Sequence, residues 1–364
     1  MKNIKIKGCG CCAISIIIIL TLIMSGCKPE AQVITVENAE QITWGDVVRI
    51  TNNESLAFLE WSAIEEGEAF VSGFMKTQDG FSGFIYKCNV NDIDREGNLL
   101  KYSNGFGDFR DFSVSPNGKI MAVCSFSGVI YIFNMNKNYF GEDYWYTIEG
   151  HPDSKVNSVD WSVDGTLLAS GGDDDVVRIW NMGDEAYQGV EKNSEIMSIE
   201  VSSNVLSVSF APEGEILIIA SETGISAIDL LEKSILFDMS GAPLGQLATV
   251  LKWSPDFKSF AAGTFDGKVF IIPYEDRNLG NQIDFHDISN SGYVRGLAYS
   301  PDGEMLAVVF SNAIIIWDLA GKQVLKRLSS GDSLSFTDIL WSPDGLLISV
   351  YCSDGCLRLL EVKE

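Results

Sequence analysis

One motif recurs seven times at intervals averaging about 47 residues, and apolar strand patterns fill the stretches between its copies. No segment of residues 41–364 shows helical periodicity. Together these observations predict an all-β fold, a seven-bladed β-propeller of four-stranded blades. The motif sets an apolar residue two places before a bulky one, then runs through Ser/Ala-Pro-Asp/Glu-Gly into an apolar run. Its key positions are Trp61, Val114, Trp161, Phe210, Trp253, Tyr299 and Trp341, and the steps between them range from 42 to 53 residues. A blade usually takes roughly 40–45 residues, so the spacing lies at the upper edge.

Within a unit the chemistry is consistent. An alternating first strand such as Val159-Asp160-Trp161 runs into a turn where Pro sets φ and Gly accepts φ > 0. The second strand, as in Ile216-Leu217-Ile218-Ile219-Ala220, is almost continuously apolar, which predicts burial on both faces. A short polar turn such as Phe265-Asp266-Gly267 follows, then a third strand, Val177-Arg178-Ile179-Trp180 or Ile314-Ile315-Ile316-Trp317-Asp318. The last unit supplies only a third strand, at Leu357–Val362, while residues 41–50 form a spare strand ahead of the first unit. Reading that spare strand as the outer strand of the seventh blade closes the ring and removes an open edge.

The first residues carry a different signal. Lys2, Lys5 and Lys7 precede an uncharged stretch over residues 8–26, the layout of a signal peptide. It ends in Met24-Ser25-Gly26-Cys27, which resembles a bacterial lipobox. That resemblance implies cleavage before Cys27 and its lipidation, although nineteen uncharged residues also fit an uncleaved signal anchor. Either reading leaves the remainder outside the cytoplasm. The expected organisation is a signal peptide at 1–26, a lipidated Cys27 with a tether over 27–40, and the propeller at 41–364. The expected location is the cell membrane, with inner or outer membrane left open.

Composition narrows the function classes. The 364 residues include 26 Lys+Arg against 50 Asp+Glu, a net charge of −24. Removing residues 1–26 takes three of the 26 basic residues and none of the 50 acidic ones, so −24 becomes −27. Such a field repels phosphate backbones and argues against nucleic acid as a partner. Two histidines, His151 and His286, leave little material for a multi-His metal site or a Ser-His-Asp hydrolase. No metal or cofactor is expected. Asp92-Ile93-Asp94-Arg95-Glu96-Gly97 begins like a calcium loop but has Ser103 where the twelfth-position Glu belongs. Gly263–Lys268 is too short for a phosphate loop and continues with Val269.

The units resemble WD repeats over roughly residues 41–364. The third is the most complete, with Gly150-His151, Leu168–Asp175 and Val177-Arg178-Ile179-Trp180-Asn181. The resemblance implies that His151, Ser170, Asp174 and Trp180 form a buried hydrogen-bonded tetrad, a structural role that leaves His151 unavailable as a catalytic base. Elsewhere the pattern is degenerate. Asp266 and Asp354 keep the Asp position and Trp317 the terminal Trp, while Phe133, Ile272 and Leu360 replace it.

Four cysteines follow Cys27, with no C-x-x-C pair among them. Cys352 and Cys356 flank a three-residue turn, where they form either a disulfide or two packed thiols. Cys88 and Cys124 read as buried small residues. Tyr144, Trp145 and Tyr146 read as an outer strand. His286 falls in a connection. Loops expected to ring one face carry Phe106, Phe109, Phe126, Phe265, Tyr293 and Arg295, the candidate interface. The leading expectation is a lipid-anchored scaffold without catalysis that binds a protein or peptide. The alternative is a propeller with an enzymatic or small-ligand site in its central channel.

Overall fold

The structure is a computed structural model that describes residues 33–49, 57–61, 68–77, 80–89, 98–102, 109–135, 146–183, 194–238, 248–275, 278–279, 284–286, 292–330 and 334–362. Seven antiparallel sheets follow one another along the chain. Their inner strands are Ala57–Trp61, Phe109–Val114, Val156–Trp161, Val205–Phe210, Ala248–Trp253, Val294–Tyr299 and Phe336–Trp341, which number the blades 1 to 7. Consecutive inner strands pack side by side, and those of blades 7 and 1 also meet, so the ring is closed. Ile42–Arg49 is the outer strand of blade 7, pairing Ile42 with Val362 and Arg49 with Cys356.

The second strands explain why the units need their neighbours. Ile120–Ser125, Ile216–Ser221 and Met305–Phe310 are buried at every position. Each is sandwiched because the apolar clusters lie between blades. Val177 and Ile179 of blade 3 share one with Val208, Phe210 and Leu217 of blade 4. A single blade would expose both faces.

The Pro-Asp-Gly turns share one hydrogen-bond pattern. The Ser162 hydroxyl donates to Asp164 Oδ1 at 2.6 Å, and that oxygen accepts the Thr166 N–H at 3.0 Å. Ser254–Asp256, Ser300–Asp302 and Ser342–Asp344 repeat the contact at 2.7, 2.5 and 2.6 Å. In blade 5 the glycine is replaced by Phe257, which still holds φ 57°, a left-handed value that favours glycine. Successive turns sit against one another, with Gly165 over Pro116, Gly303 over Pro255 and Gly345 over Pro301. They therefore crowd one face of the ring, called here the turn face.

Residues 33–41 depart from the expected tether. Ile34 and Ala39 are 1% and 0% exposed and join the core cluster of blades 6 and 7. A short 3-10 turn, Ala39–Gln41, leads directly into the closing strand. The cause is the apolar character of Ile34, which is buried between blades, and of Val36, which packs against the same cluster, while Val33 stays largely exposed. Residues 1–32, with Cys27, lie outside the described residues.

Candidate functional site

The inner strands of blades 3 to 7 all shift register one residue in from their start, at Asn157, Leu206, Thr249, Arg295 and Thr337. Blade 2 has its irregularity between Phe109 and Phe112, which includes Arg110. A bulge re-aims the extra side chain. Here the bulges sit at the end of the channel opposite the turn face.

Below that mouth, polar side chains staple neighbouring blades. Asp111 Oδ2 accepts the Val159 N–H at 3.3 Å, and Asp160 Oδ2 accepts the Phe210 N–H at 2.8 Å. Asn157 donates to Val205 O and Thr249 to Val294 O, at 2.9 and 2.8 Å. Burial pushes the carboxyls of both Asp111 and Asp160 up to about 6, despite hydrogen bonds and Lys252 acting the other way. The channel cavity holds about 220 Å³ and includes Asp338, Lys252 and Arg295 on its wall. That is below the roughly 300–1,000 Å³ of ordinary ligand pockets. Among the described residues no group of three His, Cys, Asp or Glu could hold a metal ion.

At the mouth, aromatic rings and cations form two pads. Phe265, 53% exposed, stacks on Tyr293 with centroids 5.3 Å apart and planes 6° from parallel. The Arg295 guanidinium lies 4.5 Å from the Tyr293 ring centre, while its Nε donates to Ser311 Oγ at 2.9 Å. Across the ring, Arg110 and Lys155 lie 4.6 and 5.3 Å from the Phe126 ring centre. Of the candidate interface residues, Phe126, Phe265, Tyr293 and Arg295 therefore group into two places. Phe106 lies outside the described residues. Phe109 is a correction. It is 0% exposed, begins the inner strand of blade 2 and packs edge-on against Tyr131. Its position matches Val156, Val205 and Val294, all buried, so the core takes the ring.

The structure brings the four tetrad residues together. Trp can only donate and a carboxylate can only accept, which orients the relay. Trp180 Nε1–H donates to Ser170 Oγ at 3.0 Å, Ser170 O–H to His151 Nε2 at 2.9 Å, and His151 Nδ1–H to Asp174 Oδ1 at 2.7 Å. Burial pushes His151 below its usual value, although its bond to Asp174 works the other way. Burial would raise Asp174, but hydrogen bonds from His151 and Arg178 hold it below the carboxylate range. Arg178 is the member sequence reasoning missed. Its Nη1 donates to Asp174 Oδ2 at 2.7 Å. The signal was an Asp-x-x-x-Arg spacing that recurs in blade 7, where Arg358 grips Asp354 with bonds of 2.8 and 2.6 Å.

Of the two alternatives at the neighbouring hairpin, the structure has thiols. Cys352 and Cys356 are free and buried, so the possible disulfide is corrected. Their Sγ atoms lie 3.8 and 3.9 Å from the carbonyls of Val350 and Asp354, each on its own side of the turn. Burial pushes the Cys352 thiol up to about 12. Cys124 is free and buried as well, and nothing is described of the Cys88 side chain. His286 ends a short outer strand of blade 5, Asp284–His286, pairing with Val269, and does not lie in a connection. Tyr146 begins the outer strand of blade 2, while Tyr144 and Trp145 lie outside the described residues, as do Asp92–Gly97. Gly263–Lys268 spans a strand end and its turn.

Two stretches, residues 143–181 and 281–318, match the family described as WD domain, G-beta repeat. Both stretches are thus similar to WD repeats. The first ends with the third strand of blade 3 and the second with that of blade 6, so the match and the sheets agree. Protein hir1 of Schizosaccharomyces pombe is 25% identical over 290 residues, covering 71% of this chain and 30% of its own length. WD repeat and HMG-box DNA-binding protein 1 of Mus musculus is 23% identical over 227 residues, covering 58% and 19%. Pre-mRNA-processing factor 19 homolog 2 of Arabidopsis thaliana is 28% identical over 211 residues, covering 57% and 38%. The chain thus spans between about a fifth and two fifths of these relatives' length. Among the described residues no helix is long and apolar enough to cross a membrane.

Proposed function

We propose that this chain is a non-catalytic docking platform, anchored outside the cytoplasm by lipid on Cys27, which holds a protein or peptide at the channel mouth opposite the turn face. The observation that carries the reading is a division of labour among polar groups. Four of those lining the channel, Asp111, Asp160, Asn157 and Thr249, are engaged in joining blades. The mouth instead presents the Phe265–Tyr293–Arg295 stack. Aromatic and Arg side chains are the types that anchor interfaces. WD repeats generally mediate protein–protein contacts, in agreement with this use of the ring. The net charge of −24 disfavours nucleic acid and suits a partner with a basic surface around its contact points. Support for the anchor comes from the lysine-rich start and the Met24–Cys27 sequence.

The test has two arms. In a bacterial host the protein should sediment with membranes, and its mass should correspond to a chain starting at an acylated Cys27. Cys27→Ala should abolish both. In the second arm, Tyr293→Ala with Arg295→Ala should weaken partner capture at least tenfold without shifting the thermal midpoint. A soluble, unprocessed chain would contradict the anchor, and undiminished capture by the mouth variant would contradict the docking site.

A further inference from the structure

The packed segment at residues 33–41 determines where the chain leaves the ring. The Ile34 N–H donates to Gly345 O at 2.9 Å, and Val33 lies against Gly345. Gly345 belongs to the Pro343-Asp344-Gly345 turn, so Val33 rests on the turn face. Three further contacts hold the segment. Asn38 Oδ1 accepts the Thr35 N–H at 2.8 Å, and its Nδ2 donates to Val33 O at 2.9 Å. Lys326 Nζ donates to Glu40 O at 2.6 Å, tying the segment to the outer strand of blade 6. With Ile34 and Ala39 buried between blades, residues 33–41 move as part of the ring.

Only residues 28–32 then separate Cys27 from Val33. At no more than roughly 3.3–3.6 Å per residue, these steps reach about 20 Å. Six-residue strands rising about 3.3 Å per residue put the two faces of the ring about 20 Å apart. Only a fully stretched tether lying along the side of the ring would bring the opposite mouth level with the anchor, whereas every shorter conformation leaves the turn face nearer to it.

We propose that residues 33–41 are an orienting strap: they set the turn face toward the bilayer and turn the Phe265–Tyr293–Arg295 pad away from it. The proposal rests on the lipid at Cys27. The charge of the turn face fits a surface that faces lipid without sinking into it. Its six described turns between first and second strands carry Asp164, Glu213, Glu215, Asp256, Asp302, Glu304 and Asp344 against Lys119 and Lys258, and the hairpins over 230–233 and 319–322 add Glu232 against Lys233 and Lys322. An anionic leaflet repels such a ring, and the repulsion fades over about 8 Å at physiological salt. The strap keeps the face near the membrane and the charge keeps it from lying flat.

The experiment places a fluorescent donor at Val163→Cys on the turn face or at Asn312→Cys on the opposite face, in the full lipidated chain. Both positions are exposed. The wild-type chain gives the background labelling of its own thiols. Protein in phosphatidylcholine vesicles with acceptor-labelled lipid should show energy transfer at least twofold stronger from position 163 than from position 312. A 20-residue Gly/Ser insertion after Pro29 adds about 25 Å of root-mean-square reach and should erase the difference. Equal transfer from the two positions, in protein whose mass shows acylated Cys27, would overturn the orientation alone. Preference for position 163 that survives the insertion would assign orientation to something other than the strap. Protein that lacks the lipid by mass would overturn the anchor and the orientation with it.

Discussion

Asp174→Ala tests the hydrogen-bond relay of blade 3 most sharply. The carboxylate accepts from His151 Nδ1 and from Arg178 Nη1, each at 2.7 Å. His151 is 0% exposed, so its N–H loses its acceptor where water is excluded. A buried donor left unmade costs about 1–3 kcal/mol. Arg178 keeps Glu195 at 3.4 Å and some solvent, which limits its share to about 0.5–1 kcal/mol. The total is about 1.5–4 kcal/mol. In a domain of this size that lowers the thermal midpoint by roughly 2–6 °C. The control is Asp354→Ala, which breaks the matching Asp–Arg pair of blade 7, one with no histidine behind it. Circular dichroism melts at pH 7.5 read both variants. Midpoints that fall equally, or a loss below about 0.5 kcal/mol for Asp174→Ala, would refute the relay's contribution.

Lowering the pH should separate two opposing groups. Asp111 and Asp160 are raised from 3.8 to about 6 by the fold, so their contribution is full below about pH 4 and is lost as pH rises through 6. His151 runs the other way: its folded value lies below 6.5, so its contribution is present above 6.5 and lost as pH falls. Asp111→Asn with Asp160→Asn should therefore flatten the midpoint profile between pH 5 and 7.5, by roughly 1–3 kcal/mol per carboxylate, and an unchanged slope would count against the assignment. Gly172→Ala would set a Cβ 2.3 Å from Lys155 O and 2.7 Å from His151 Nδ1, so it should cost about 1–3 kcal/mol in urea melts, while a neutral result would contradict the packing. Deleting residues 33–49 removes the outer strand and the strap of blade 7, bares the edge of Cys356–Val362, and should produce aggregation visible by light scattering, where a monodisperse ring would contradict the closure.

Periodic features were the legible ones. The Pro-Asp-Gly turns, the continuously apolar second strands and the closing strand all follow from patterns that the ring repeats, because every blade solves the same burial problem. His151, Ser170, Asp174 and Trp180 were legible since one unit keeps the whole set. Features without a counterpart in other units were not. Residues 33–41 repeat nothing, and only the apolar Val33, Ile34 and Val36 hinted that they would pack. Phe109 follows Gly107-Asp108 and reads as loop until it is aligned with Val156 and Val205 at the same strand position. The bulges that bring Arg110 and Arg295 to the mouth leave no mark on hydrophobic period, because the extra residue is polar or apolar from blade to blade. The thiols of Cys352 and Cys356 depend on side-chain direction across one turn, which spacing does not encode.

Docking at the mouth is tested most directly by a photo-crosslinking amino acid placed in living cells at Phe265, Phe126 or Val163. Docking at the mouth should give a discrete adduct from Phe265, a matching or adjoining one from Phe126, and neither from Val163 on the turn face. Adducts from Val163 identical to those from Phe265, or none from either mouth position, would contradict it.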